Sequence, residues 1–214
     1  MLLKEIFRNI LMETPQRIPP LRNDDVQRYA DSYLRILTDD KFDTTKLFKI
    51  NDNISVYKSL HPLAGSYYAI YDDGISRKVI YLMEYERENI KFIGNIAKGS
   101  LVWASSEYKI FLKNLPVTIF FQHLLPSVHT YIGDTSYTSD GERFLKNTTI
   151  PKALRNNIYV YYIDTTKKLL IPVKDVSDLD YLDQQHNIWS AKIAKISSEF
   201  ENRRFIFSET PILW

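Results

Sequence analysis

The stretch GDTSYTSDGERFLKNTTIPKALRNNIYVYYID, residues 133–164, decides how the chain is read. A polar, turn-rich run from Gly133 to Gly141 opens it. A segment of helical spacing follows, with Pro151 expected to bend it and Asn156-Asn157 to end it. The run IYVYYID then reads as a strand buried on both faces, because its apolar residues are continuous rather than alternating. Loop, helix and strand in this order form a crossover unit, expected to be right-handed. Such a unit can hold an anion at the helix start, or simply turn a corner.

Working upstream, TYIGD reads as a short strand, and LPVTIFFQHLLPSV as a helix with Pro116 near its start and Pro126 near its end. Before these the period changes to that of strands. KLFKI and ISVYKSL flank a turn at Asn51–Asn53. GSYYAIY and RKVIYLMEY flank Asp72-Asp73-Gly74, a strong hairpin signal. IKFIG and SLVWAS follow as separate short strands, with Gly94 and Gly99 as breakers. Further upstream, two helices are expected. One spans residues 2–13; the other begins at Asn23, with Asp24 and Asp25 favourable to its dipole, and runs to Leu37. Pro15, Pro19 and Pro20 make an extended connector between them. Downstream, KLLIPV reads as a strand, DVSDLDYLDQQHNIW as a helix and RRFIFSE as a last strand.

The expected fold is therefore α+β: a mixed, mainly antiparallel sheet with flanking helices, preceded by an N-terminal helical extension. Residues 1–45 form the extension and 46–214 the core. The extension serves as a lid on the core or as an arm for a protein partner.

Composition narrows the classes. The 214 residues are 44% apolar and 25% charged, enough for a full core. With 28 basic and 26 acidic side chains the net charge is +2, which gives no strong nucleic-acid signal. The chain has no cysteine, so disulfides, thiol nucleophiles and cysteine-held zinc are excluded. No run is long and apolar enough for a membrane span, and Glu5 and Arg8 spoil the N-terminus as a signal peptide. A cytoplasmic protein is expected, although secretion without a cleaved signal would look the same. The 15 tyrosines and 11 phenylalanines fall mostly in strand-like runs, as β propensity favours.

Sharp catalytic signatures are few. His61, His123, His129 and His186 are scattered, and no pair has the spacing of a zinc site. There is no nucleophile elbow or phosphate-binding loop motif. Ser105-Ser106 reads as a turn at a strand end. Asp134, Glu142 and Asp164, with Lys167 and Lys168, could gather around Mg²⁺ as in a nuclease. Strand alternation, however, sets Asp164 and Lys167 on opposite faces. The aromatic content and the closing ETPILW would also suit a non-catalytic, partner-binding protein.

The turn before the helix carries the most specific chemistry. Thr138, Ser139 and Asp140 can each cap it, and Glu142 or Arg143 occupies its first turn. Left uncapped, the amides there suit an anion such as pyrophosphate. Gly141 would let the ligand approach the backbone, and Arg143 could add a charge-assisted contact.

In this order of elements the chain resembles the GNAT-type N-acyltransferase superfamily over roughly residues 46–207. That family holds the pyrophosphate of acyl-CoA at the turn after its fourth strand, matched here to TYIGD and SYTSDGER. Its motif is Gln or Arg, two residues, Gly, one residue, then Gly or Ala. Thr138, Gly141 and Arg143 stand at those three positions, so the glycine alone agrees. The resemblance implies acyl-CoA as co-substrate and an amine as acceptor. It implies Thr138, Ser139, Asp140, Gly141, Glu142 and Arg143 as the cofactor turn, Tyr181 as the acid, and Asp134 or Glu84 as the base. Tyr181 beside its leucines equally suits the core, and Asp134 a turn.

Overall fold

The computed structural model describes residues 23–37, 42–61, 64–90, 94–133, 139–164, 167–189 and 203–212. The expected helix 2–13, the proline connector, Asp134, Thr138 and Trp214 lie outside the described residues. Helices α1 (Asn23–Asp31) and α2 (Tyr33–Ile36) precede a meander. It comprises β1 (Asp43–Asn51), β2 (Ile54–His61), β3 (Ala64–Asp72), β4 (Arg77–Ile90) and β5 (Gly94–Ala104). A 3₁₀ turn at Ser106–Tyr108, then α3 (Lys109–Leu112), α4 (Leu115–Ile119) and α5 (Leu125–Val128), leads to β6 (Thr130–Ile132). Next come α6 (Ser139–Phe144), α7 (Ile150–Arg155), β7 (Tyr159–Asp164) and β8 (Leu169–Val173). Helix α8 (Asp178–His186) and strand β9 (Arg203–Ser208) complete the order.

All strands belong to one sheet, ordered β1-β2-β3-β4-β5-β6-β9-β7-β8. Every pairing is antiparallel except β5 with β6, which is parallel. The last strand is thus threaded into the sheet between β6 and β7. Since β9 runs antiparallel to both, β5, β6 and β7 share one direction. The helices that connect them pack into the same apolar cluster, as two crossovers of a common hand require.

Residues 91–93 of the expected strand IKFIG lie outside the described residues, and the other strand expectations hold with two adjustments. The first strand begins at Asp43, so it crosses the 45/46 boundary. Gly99 does not break the sheet: Gly94–Ala104 is one strand, paired with β4 along its length. Gly99 is small because Tyr131 lies over it, and a Cβ there would collide with the Tyr131 hydroxyl. Gly65 sits in the same way under the Tyr85 ring.

Both long helices widen into a π turn just before a proline, Phe120–Leu124 ahead of Pro126 and Leu145–Thr149 ahead of Pro151. Proline cannot donate to the carbonyl four residues back and its ring crowds that carbonyl, so the backbone opens there. This is the expected irregularity at Pro151. The helix then ends at Asn156, and Asn157 takes a left-handed φ of 58°.

The sheet is covered on both faces. One face carries the largest core: Tyr81, Met83 and Phe207 of the strands meet Ile119, Phe120, Ile150, Leu179 and Leu182 of the helices. On the other face, Ala30, Tyr33 and Ile36 of α1 and α2 bury Tyr68, Ile70, Val79 and Leu82. The helix at residues 23–37 is therefore packed onto the sheet. At the far end Ile212 packs beside Ile206 and Ile163, and its N–H donates to the Tyr161 hydroxyl at 3.1 Å. Among the described residues no helix is long and apolar enough to cross a membrane.

Candidate functional site

Two irregularities in the sheet create its chemically distinctive places. The first is a bulge in β4, where Tyr81 faces Ala69 and Val79 faces Ile70, leaving Ile80 over. A bulge leaves ladder groups unpaired, and α1 supplies the missing partners. The Val79 N–H donates to Asp31 Oδ1 at 2.9 Å, and Gln27 Nε2 donates to the Val79 carbonyl at 2.8 Å. Ile80 O accepts from the Ser105 N–H at 2.9 Å.

Five residues on, the same face of β4 presents Glu84, only 6% exposed. Tyr29 donates to its Oε1 at 2.5 Å, and the Tyr33 hydroxyl donates to the same oxygen. The other oxygen, Oε2, is buried and has no hydrogen-bond partner. Burial raises the Glu84 pKa above the usual carboxylate range, the two tyrosine hydrogen bonds pull it back down, and Glu86 pushes it up. Both phenols are raised as well, by burial first and by the carboxylate charge second or third. The tyrosines therefore stay protonated as donors.

The second irregularity is the parallel junction. Strands β5 and β6 pair only at Ala97↔Tyr131 and Lys98↔Ile132. Directly after this the Gly133 N–H donates to Phe205 O on β9, at 2.9 Å, continuing the ladder between β6 and β9. Strand β5 runs on to Ala104 with a bulge at residue 100, where Glu84 faces Leu101 and Tyr85 faces Gly99. Among the described residues, no strand continues this side of β5 past Lys98, so β5 has no strand partner on the β6 side from Gly99 to Ala104, at the carboxyl ends of the two parallel strands.

The nominated residues divide between these places. Ser139 and Asp140 begin α6, and Gly141 and Glu142 are half-buried behind them, with Arg143 exposed. Gly141 and Arg143 each already make an interaction within the fold. Tyr181 is 62% exposed on α8, so it is not a core residue, despite its flanking leucines. Its neighbour Asp180 accepts from Lys146 Nζ at 2.7 Å, which ties α8 to the helix that starts at Ser139. Helices α8 and α6 thus lie over one face of the sheet, whereas Glu84 lies on the opposite face beneath α1 and α2. Asp164 is the buried last residue of β7, and its Oδ1 accepts from the Lys167 N–H at 3.0 Å. Tyr29 and Tyr33 escaped notice because their four-residue spacing marks one helix face whether the partner is apolar or a carboxylate.

No protein-family model matches the chain, and neither curated proteins nor solved structures give a significant match.

Proposed function

We propose that this protein transfers an acyl group from acyl-CoA to an amine acceptor, with acyl-CoA lying along β5 beyond its pairing with β6. The observation that carries this reading is that, among the described residues, β5 has no strand partner on the β6 side beyond Lys98. An unpaired edge accepts an extended ligand that offers amide donors and acceptors, and the pantetheine arm of CoA carries such amides. Ligands also gather at the carboxyl ends of parallel strands, the end at which residues 133–143 leave β6. An antiparallel meander followed by a helical crossover into a parallel strand supports the GNAT-like reading of the fold.

In this reading the turn from Thr138 to Arg143 takes the pyrophosphate through backbone amides. Tyr181 protonates the leaving thiolate and Asp134 is the base for the amine. Glu84 serves as base only if the helix above it lifts. An acyl-CoA co-substrate also implies a cytoplasmic setting.

The test is a titration with acetyl-CoA followed by backbone amide NMR shifts. Binding should move the Gly99–Ala104 amides and raise the melting temperature, by about 2.7 kcal/mol of added stability at 100 times the dissociation constant. Unmoved amides in this segment at millimolar acetyl-CoA would sink the proposal.

One feature favours a second reading, partner binding without catalysis. Ile75, Ile110 and Phe111 are 97%, 88% and 51% exposed. Large apolar side chains left so open suit a docking surface.

A further inference from the structure

A cavity of about 430 Å³ lies where the β1–β2 turn, the end of β3 and the segment from Ser106 into α3 meet. No residue invoked above for acyl transfer lines it. Three aromatic side chains wall it: Tyr71, Tyr108 and Phe111. Ile54, buried, closes the bottom, and the polar turn at 51–53 forms the rim. The Tyr71 and Tyr108 ring centroids are 5.1 Å apart, with the rings inclined at 49°. Both tyrosines are half-buried, and Phe111 and Asp52 are exposed, so a ligand reaches the walls from solvent.

We propose that this cavity binds an alkylated ammonium group, such as a trimethylammonium, against the rings of Tyr71, Tyr108 and Phe111 and beside the Asp52 carboxylate. The walls are fixed before a ligand arrives. Asn53 O accepts from the Asp72 N–H at 2.8 Å, which ties the rim to the hairpin that follows Tyr71. Within the rim, Asn51 Oδ1 accepts from the Asn53 N–H at 3.0 Å. The Tyr71 hydroxyl donates to Asp73 Oδ2 at 3.0 Å. On the Tyr108 side, the Ser105 N–H donates to Ile80 O at 2.9 Å, and Lys78 Nζ meets Glu107 at 2.7 Å. Walls held in this way lose little freedom on binding.

Charge and ring chemistry give the ligand class. Lys78 Nζ already lies 4.9 Å from the centroid of the Tyr108 ring, so that ring holds an ammonium within the fold itself. Lys78 is not part of the cavity wall, and its charge is paired with Glu107. Arg77 is paired in the same way with Asp72. The wall contains one charged residue, Asp52, and no basic one. Among the described residues, neither Asp52 nor Asp73 has an ion pair. An anion would meet repulsion there, and a neutral ligand would leave the carboxylate unused. A primary ammonium is strongly hydrated and is costly to strip of water. Alkylation weakens that hydration and adds apolar surface, which suits the electron-rich faces of aromatic rings. The volume fits such a headgroup with a short tether.

The experiment titrates the protein with choline at constant ionic strength and follows the aromatic ring signals by NMR. The control is 3,3-dimethylbutanol, which has the shape of choline without its charge. Choline should move the Tyr71, Tyr108 and Phe111 signals, and the neutral isostere should bind at least tenfold more weakly. Phe111→Ala and Asp52→Asn should each weaken choline binding by about three- to fivefold. Both residues are exposed, so both variants should fold, and unchanged amide spectra elsewhere check this. Unmoved ring signals at 50 mM choline, equal binding of the two isosteres, or undiminished binding by both variants would overturn the site. A further arm separates two sources of the same chemistry. A short peptide carrying trimethyl-lysine that binds at least tenfold more tightly than choline assigns the group to a modified protein side chain. Equal affinities assign it to a free small ligand.

Discussion

The Tyr29 hydroxyl donates to Glu84 Oε1 at 2.5 Å, joining the N-terminal helix to the fourth strand across 55 residues of chain. Tyr33, one turn further on, donates to the same oxygen. The carboxyl is therefore the point at which α1 and α2 are fastened to the sheet, with the apolar packing of Ala30 and Ile36 around it.

Tyr33→Phe should cost about 1.5–3 kcal/mol of stability, the range for a hydrogen bond to a charged acceptor. Tyr29→Phe should cost less, because Tyr29 is half-buried and water can replace it. Urea denaturation of both variants checks the order. Equal and negligible losses would mean that packing alone holds the helix.

Glu84 makes stability depend on pH in a definite direction. Its folded pKa is raised above the ordinary glutamate value. The native state then holds the proton more tightly than the unfolded state. The contribution is fully present below the unfolded pKa and is lost as pH rises through the folded one. Glu84→Gln keeps an acceptor for both tyrosines and removes the titration. Its melting temperature should gain on that of the unsubstituted chain between pH 4 and pH 8. A constant difference across that range would show that Glu84 does not titrate there.

The bulge in β4 gives a residue-level test. Asp31→Ala removes the acceptor of the Val79 N–H, a group that is buried with its strand. An unsatisfied buried donor costs about 1–3 kcal/mol. Hydrogen exchange at the Val79 amide should accelerate with the global loss, and more than that at Ile70, which α1 does not bond. Unchanged protection at Val79 would mean that another acceptor has replaced Asp31.

Gly99→Ala should destabilise by about 1–3 kcal/mol, as overpacking of a filled core does. The atom in the way is the Tyr131 hydroxyl. Adding Tyr131→Phe should therefore recover part of the loss, and a double-mutant cycle measures the coupling. Gly65→Ala meets ring carbon as well as hydroxyl of Tyr85, so Tyr85→Phe should rescue it less. Simple additivity at Gly99 would place the strain elsewhere.

Much of the architecture was legible in the chain because it rests on local rules. Asp72-Asp73-Gly74 forms its hairpin turn, with Asp73 Oδ1 accepting from the Ile75 and Ser76 N–H groups. Pro116, Pro126 and Pro151 mark where helices start and widen, and the apolar run at β7 is buried from Val160 to Asp164. The crossover expected over residues 133–164 does leave β6 and β7 running the same way, but β9 lies between them, and the parallel pairing is β5 with β6. Gly99 was misread as a breaker because a glycine has the same local signature in a turn and beneath a neighbouring ring.

Periodicity, turn chemistry and proline are local signals, and the elements, their order and the α+β class could be read from them. Which distant segments meet could not. The sequence by itself did not determine that β9 enters between β6 and β7, that β5 and β6 pair at two positions only, or that Tyr29, Tyr33 and Glu84 share one buried oxygen. Strand order and side-chain convergence come from long-range pairing, where the free energy is set by burial and by satisfied polar groups in three dimensions. No spacing along the chain encodes those contacts.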